Sequence, residues 1–134
     1  DLHSFPTRRS SDLWQMVSLP WFMYQYQGDI RVLEENIEMI KQWLAFLDTH
    51  VEGNLLKRYG GPWDFLGDWL WPGATAAGMN NDADETLFFN NCYRVYNLKT
   101  AARIADIIGR SAEAETWKRQ ADSGIAPRAA RTQL

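Results

Sequence analysis

Ile30-Arg31-Val32-Leu33-Glu34-Glu35-Asn36-Ile37-Glu38-Met39-Ile40-Lys41-Gln42-Trp43-Leu44-Ala45-Phe46-Leu47-Asp48 is the stretch on which the fold turns. Ile30, Leu33, Ile37, Ile40, Leu44 and Leu47 recur at spacings of three and four. That period places them on one face of an α-helix. Glu34, Glu35, Glu38, Lys41 and Gln42 supply a solvent face, on which Glu38 can meet Lys41 one turn later. Asp48 and, beyond it, Glu52 read as ordinary solvent-face residues. Met39, Trp43 and Phe46 widen the apolar stripe, and a stripe that wide packs against more than one neighbour.

On its N-terminal side, Trp14 to Tyr26 is apolar and aromatic with few charges. It reads as a buried helix, with Pro20 at its start or at a kink. Gly28-Asp29 makes a turn, and Asp29 is placed to cap the helix that follows.

On its C-terminal side, Thr49 to Asp84 shows no sustained period. An irregular connection of that length inside a compact chain is functional or contains short elements of its own. It carries Gly61-Pro62-Trp63-Asp64-Phe65-Leu66-Gly67-Asp68-Trp69-Leu70-Trp71-Pro72-Gly73, with three of the seven tryptophans. Gly and Pro bracket this segment and shape it as a loop. Indole faces stack on the C–H faces of sugars and carboxylates accept hydrogen bonds from hydroxyls, so the cluster suits a carbohydrate site. The structural alternative is a loop that turns its tryptophans into the core and uses Asp as a turn residue.

Asp82-x-x-Glu85 has the form of a capping box. A long helix follows from about Glu85 to Ile108, with Leu87, Phe88, Cys92, Val95, Tyr96, Leu98, Ala102, Ala105 and Ile108 on its buried face. Asn90 and Asn91 are unusual inside it: they satisfy backbone groups of the long connection or reach the pocket, and the structural role is the favoured one. Gly109 suits the left-handed position after a helix. Ser111 then caps a last helix to about Asp122, with Ala114, Trp117 and Ala121 inward. The sum is an all-α chain of four helices in two αα-hairpins with no strand signal. Apolar faces this wide predict further helical neighbours.

The ends read differently. Residues 1–13, DLHSFPTRRSSDL, resemble the conceptual translation of a short-read sequencing adapter, and are set aside from the fold as non-native and disordered. Residues 14–122 are read as the domain, and residues 123–134 as an irregular tail, because helical period is lost there.

Composition narrows the function. The 134 residues carry 46% apolar and 23% charged side chains, as a globular domain does. A net charge of −3 gives no electrostatic footprint for nucleic acid. No apolar run approaches the length of a membrane span. Cys92 is the only cysteine, so neither a disulfide framework nor metal-ligand spacing exists, and it is expected to be a small core residue. His3 and His50 sit in no motif. No cofactor is expected.

The ordered blocks Pro20-Trp21, Tyr24, Gly28-Asp29, Gly67-Asp68-Trp69, Glu85-Thr86-Leu87-Phe88-Phe89-Asn90-Asn91-Cys92-Tyr93 and Ala105-Asp106-Ile107-Ile108-Gly109-Arg110 resemble the bacterial α-L-rhamnosidases of the six-hairpin glycosidase type. The resemblance covers about residues 14–122. It implies an (α/α)6 barrel, of which two hairpins would be a third. It also implies inverting hydrolysis of a terminal α-L-rhamnosyl group from a rhamnose-containing glycoside or polysaccharide. In such chemistry one carboxylic acid protonates the leaving oxygen, and a second carboxylate, set back to admit water, activates that water. The family's general acid belongs to an Asp-Glu-Arg-Leu-Gly-Trp-like motif that does not occur here, and its base lies on a later hairpin. The resemblance therefore assigns no catalytic residue to this chain. It assigns a wall of the sugar pocket, with Trp69 and Asp68 foremost and Trp63 and Asp64 beside them.

Asp64 and Asp68 could be read instead as an acid/base pair, desolvated by the neighbouring indoles. Two groups four residues apart rarely reach opposite faces of one sugar ring, which argues against it. A tetratricopeptide-like interaction module would also give helical hairpins. Such arrays use short turns, and the connection from Thr49 to Asp84 is not short. Another six-hairpin glycosidase remains a third reading.

Overall fold

The computed structural model describes residues 15–58, 65 and 84–125. Within them the order is α1 (Gln15–Gln27), α2 (Arg31–Asp48), β1 (Val51–Glu52), β2 (Leu55–Leu56), α3 (Asp84–Ile107) and α4 (Ser111–Ile125). Residues 1–13, the Asp82 end of the capping box and residues 126–134 lie outside the described residues.

The α2 stripe folds as its period dictates. Leu33, Ile37, Ile40, Trp43, Leu44 and Leu47 are buried. Ile30 stands one residue before the helix and is exposed. Its carbonyl accepts the Glu34 N–H, so it holds the cap position. Asp29 nevertheless does the capping chemistry: its Oδ1 accepts the Arg31 backbone N–H at 3.0 Å. The Arg31 guanidinium, and after it that backbone N–H, holds the Asp29 carboxyl below the usual carboxylate range. Glu38 and Lys41 do not pair along α2. Both reach across to the α3–α4 turn, Glu38 to Arg110 and Lys41 to Glu113 at 3.9 Å.

The turn from α3 to α4 follows from Gly109. Its φ of 78° is left-handed. The Arg110 N–H reaches the Ala105 carbonyl at 2.8 Å and the Gly109 N–H reaches Asp106, which is the Schellman arrangement. Ser111 is the first residue of α4, not its cap. The cap falls at Arg110, whose carbonyl accepts the Ala114 N–H. α4 also continues to Ile125, past the Asp122 expected from period. Ala114, Trp117 and Ala121 face inward as expected.

Two expectations fail more instructively. The connection after α2 does contain strands: β1 and β2 pair antiparallel, Val51 opposite Leu56 and Glu52 opposite Leu55. Gly53 and Asn54 both have positive φ, 55° and 68°, as the two-residue turn of a tight hairpin requires. The second fails in part: of the face expected to be buried on α3, Leu98, Ala102 and Ala105 are in the core, but its N-terminal half is not. Phe88, Cys92 and Tyr96 are exposed, while Arg94, Asn97 and Thr100 are buried beside Leu98, Ala101 and Ile104. Apolar residues run all the way round α3, so period alone does not pick the inward side.

α3 packs chiefly on α4, α1 on α2, and α1 and α3 touch each other. One core runs through Val17, Ile40, Leu56, Phe65, Ile104 and Trp117, so every helix, β2 and the residue at 65 contribute to it. Full burial of large side chains of this kind contributes about 1.5–3 kcal/mol each. α1 is only half covered, against the expectation of a buried helix. Val17, Ser18 and Pro20 are buried, but Leu19, Phe22, Met23 and Tyr26 are exposed. Pro20 lies inside the helix and not at its start.

Candidate functional site

Two buried residues bear on the tryptophan-rich segment, one ahead of it and one within it. Upstream, Leu56 buries its side chain in the core, with 3% exposure. Within the segment, Phe65 is fully buried in the same core. One aromatic side chain of the segment therefore turns inward. Trp63, Asp64, Asp68 and Trp69, the residues expected to meet a sugar, lie outside the described residues, as does Trp71.

Asn91 holds the upstream residue. Its Oδ1 accepts the Leu56 N–H at 2.8 Å, and its Nδ2 donates to the Leu56 carbonyl at 3.1 Å and to the Leu87 carbonyl at 2.8 Å. This is the backbone-satisfying role expected of it from sequence. Asn90 does less, because its Nδ2 donates only to Thr86 in its own helix.

A second polar centre joins the hairpins. Asp48 ends α2, where the helix dipole disfavours a carboxylate. Its Oδ1 accepts from Arg94 Nη2 at 3.0 Å and its Oδ2 from Gln120 Nε2 at 2.6 Å. The expectation of an ordinary solvent-face residue is therefore corrected. Asp48 pairs with a buried guanidinium, because partners 46 and 72 residues away meet it there. No periodicity signals such a contact. Among the described residues no group of three His, Cys, Asp or Glu side chains is placed to hold a metal ion. No described helix is long and apolar enough to cross a membrane.

The exposed large apolar side chains are unevenly distributed. On the helices they lie on α1 (Leu19, Phe22, Met23, Tyr26) and α3 (Phe88, Phe89, Tyr96, Ile107), with none on described parts of α2 or α4. Among the described residues, α1 and α3 thus each carry an uncovered apolar face. On α3 that face carries Phe89 and Tyr93 edge to face, with ring centroids 4.7 Å apart.

Helical hairpins joined by a long aromatic connection define a class, the α/α-hairpin proteins. The particular family is shown by comparison. Residues 10–126 match the family described as the bacterial alpha-L-rhamnosidase 6 hairpin glycosidase domain, and the chain belongs to it. An alpha-L-rhamnosidase of Streptomyces avermitilis is 34% identical over 98 residues, 72% of this chain and 8% of that protein. One from Formosa agariphila is 27% identical over 100 residues, 75% of this chain and 10% of that protein. The solved structure of an alpha-L-rhamnosidase from Dictyoglumus thermophilum superimposes with a TM-score of 0.64 at 28% identity, covering 81% of this chain and 11% of that one. The chain spans about a tenth of the length of these relatives. Its all-α hairpins are part of the six-hairpin architecture that the family description names.

Proposed function

We propose that this chain is an internal part, residues 14–122, of an α-L-rhamnosidase that releases terminal α-L-rhamnose from a glycoside or polysaccharide with inversion. The observation that carries the reading is the match over residues 10–126 to a rhamnosidase domain family, with relatives named as alpha-L-rhamnosidases. The uneven apolar surface supports it. α1 and α3 act as the inner layer of a barrel and α2 and α4 as the outer layer, so further hairpins cover the faces that are exposed here.

In this reading Asp68, Trp69, Trp63 and Asp64 form one wall of the sugar pocket. Trp69 offers an indole face to the C–H side of rhamnose, and Asp68 accepts from its hydroxyls. The acid that protonates the leaving oxygen and the carboxylate that activates water come from other parts of the polypeptide. The chain contains no Asp-Glu-Arg-type motif, so on its own it hydrolyses nothing. The test is to express the full gene and assay it on an aryl α-L-rhamnoside, beside Trp69→Ala and Asp68→Asn. Rhamnose release that weakens through a raised KM in both variants is expected. A full-length protein that releases no rhamnose sinks the reading.

A further inference from the structure

In the β1–β2 hairpin, Glu52 and Leu55 flank the turn and Lys57 N–H bonds the His50 carbonyl at 2.8 Å. The intervening pair, Val51 and Leu56, is by alternation a non-hydrogen-bonded pair. The N–H and carbonyl of Leu56 therefore point to the outer edge of β2, away from β1. An edge strand with such groups buried needs a partner for both. The carboxamide of Asn91 supplies it, accepting from one group and donating to the other as a neighbouring strand would. Its second amide hydrogen goes to the Leu87 carbonyl, so both amide hydrogens are used. The amide orientation is set by these partners, since a flip would face like groups with like.

We propose that Asn91 is a positioning residue: its carboxamide substitutes for a third strand, locks β2 to α3, and so fixes where the chain leaves Leu56 toward the tryptophan-rich segment. The inference rests on the rhamnosidase reading for its effect on sugar binding, but not for the tie itself. No other residue type repeats the arrangement. Asn91→Asp keeps the shape but sets a carboxylate against the Leu56 and Leu87 carbonyls. Asn91→Gln moves the amide one methylene too far.

The experiment uses the full-length enzyme with Asn91→Ala, Asn91→Asp and, as control, Asn90→Ala, which removes only a bond within α3. Two readouts are taken: hydrogen exchange of the peptide spanning residues 55–58, and KM and kcat on an aryl α-L-rhamnoside. Exchange of that peptide should quicken by about tenfold in both Asn91 variants, the change that corresponds to losing roughly 1.4 kcal/mol. KM should rise by about the same factor with kcat nearly unchanged, and Asn90→Ala should move neither. Unchanged exchange in the Asn91 variants overturns the tie. Faster exchange with unchanged KM overturns the positioning role, as does an equal effect from Asn90→Ala. If the unaltered enzyme releases no rhamnose, the rhamnosidase reading and the positioning role built on it both fail, while the exchange result still decides the tie.

Discussion

Arg94 of α3 donates from Nη2 to Oδ1 of Asp48 at the end of α2, 3.0 Å away, with the arginine side chain 5% exposed and the aspartate 34%. The pair ties the first hairpin to the second, and its two halves are unequally sheltered. Removing Asp48 strands a buried guanidinium. Removing Arg94 leaves a carboxylate that water can reach and that Gln120 still holds. Asp48→Asn should therefore destabilise the domain by about 2 kcal/mol, between the exposed and the fully buried limits for ion pairs. Arg94→Met should cost less, because the buried charge goes with the side chain. Urea unfolding of both variants checks the order, and a larger loss for Arg94→Met contradicts it.

Gly109 should resist substitution for a conformational reason alone. A Cβ there would meet nothing within 4 Å, yet φ is 78°. Gly109→Ala should cost about 1 kcal/mol, and Gly109→Asn less, since Asn tolerates the left-handed region. Thermal melts of the two variants should rank them in that order. An alanine variant as stable as the parent would mean that the Schellman turn does not close the helix in solution.

Acid should loosen the contact between α2 and the α3–α4 turn. The Arg110 guanidinium bonded to Glu38 holds that carboxyl below its ordinary value of 4.5. A carboxyl whose folded value lies below its unfolded value contributes stability that is complete above about 4.5. That contribution is lost as pH falls through the folded value. Glu38→Gln should flatten this part of the acid slope in a pH series of melting temperatures, and high salt should do the same to the unaltered protein. An acid slope identical in the variant would show that the pair carries none of it.

The exposed faces of α1 and α3 should bind an apolar dye in the isolated chain and not in the full-length protein. Dye fluorescence compared at equal concentrations measures this. Equal, high fluorescence in both would mean that these faces are not covered by further hairpins.

The elements that are legible in sequence are those with one dominant signal. α2 has a single apolar stripe and a clear polar face, and its buried side is as its spacing predicts. Gly109 marks a helix end because only left-handed backbone closes that turn. α3 is not legible in the same way, because Phe88, Phe89, Cys92 and Tyr96 compete with Leu98, Ala101 and Ile104 for the inward side. Only the partner helices choose between them. The β-hairpin has a signal, Gly53-Asn54 between Glu52 and Leu55, but each strand is two residues long and shows no alternation to support it. Of the candidate site, Asn91 is legible as an odd polar residue on an apolar helix. Asp48 is not, since both of its partners come from the second hairpin.

An inverting α-L-rhamnosidase, the parent enzyme proposed for this chain, fixes the configuration of the sugar it releases. The most direct test is to follow, by proton NMR, the anomeric form of rhamnose as the full-length protein first releases it from an aryl α-L-rhamnoside. With inversion, β-L-rhamnose appears first and then mutarotates. Release of the α-anomer first, or no release of rhamnose, would contradict the proposal.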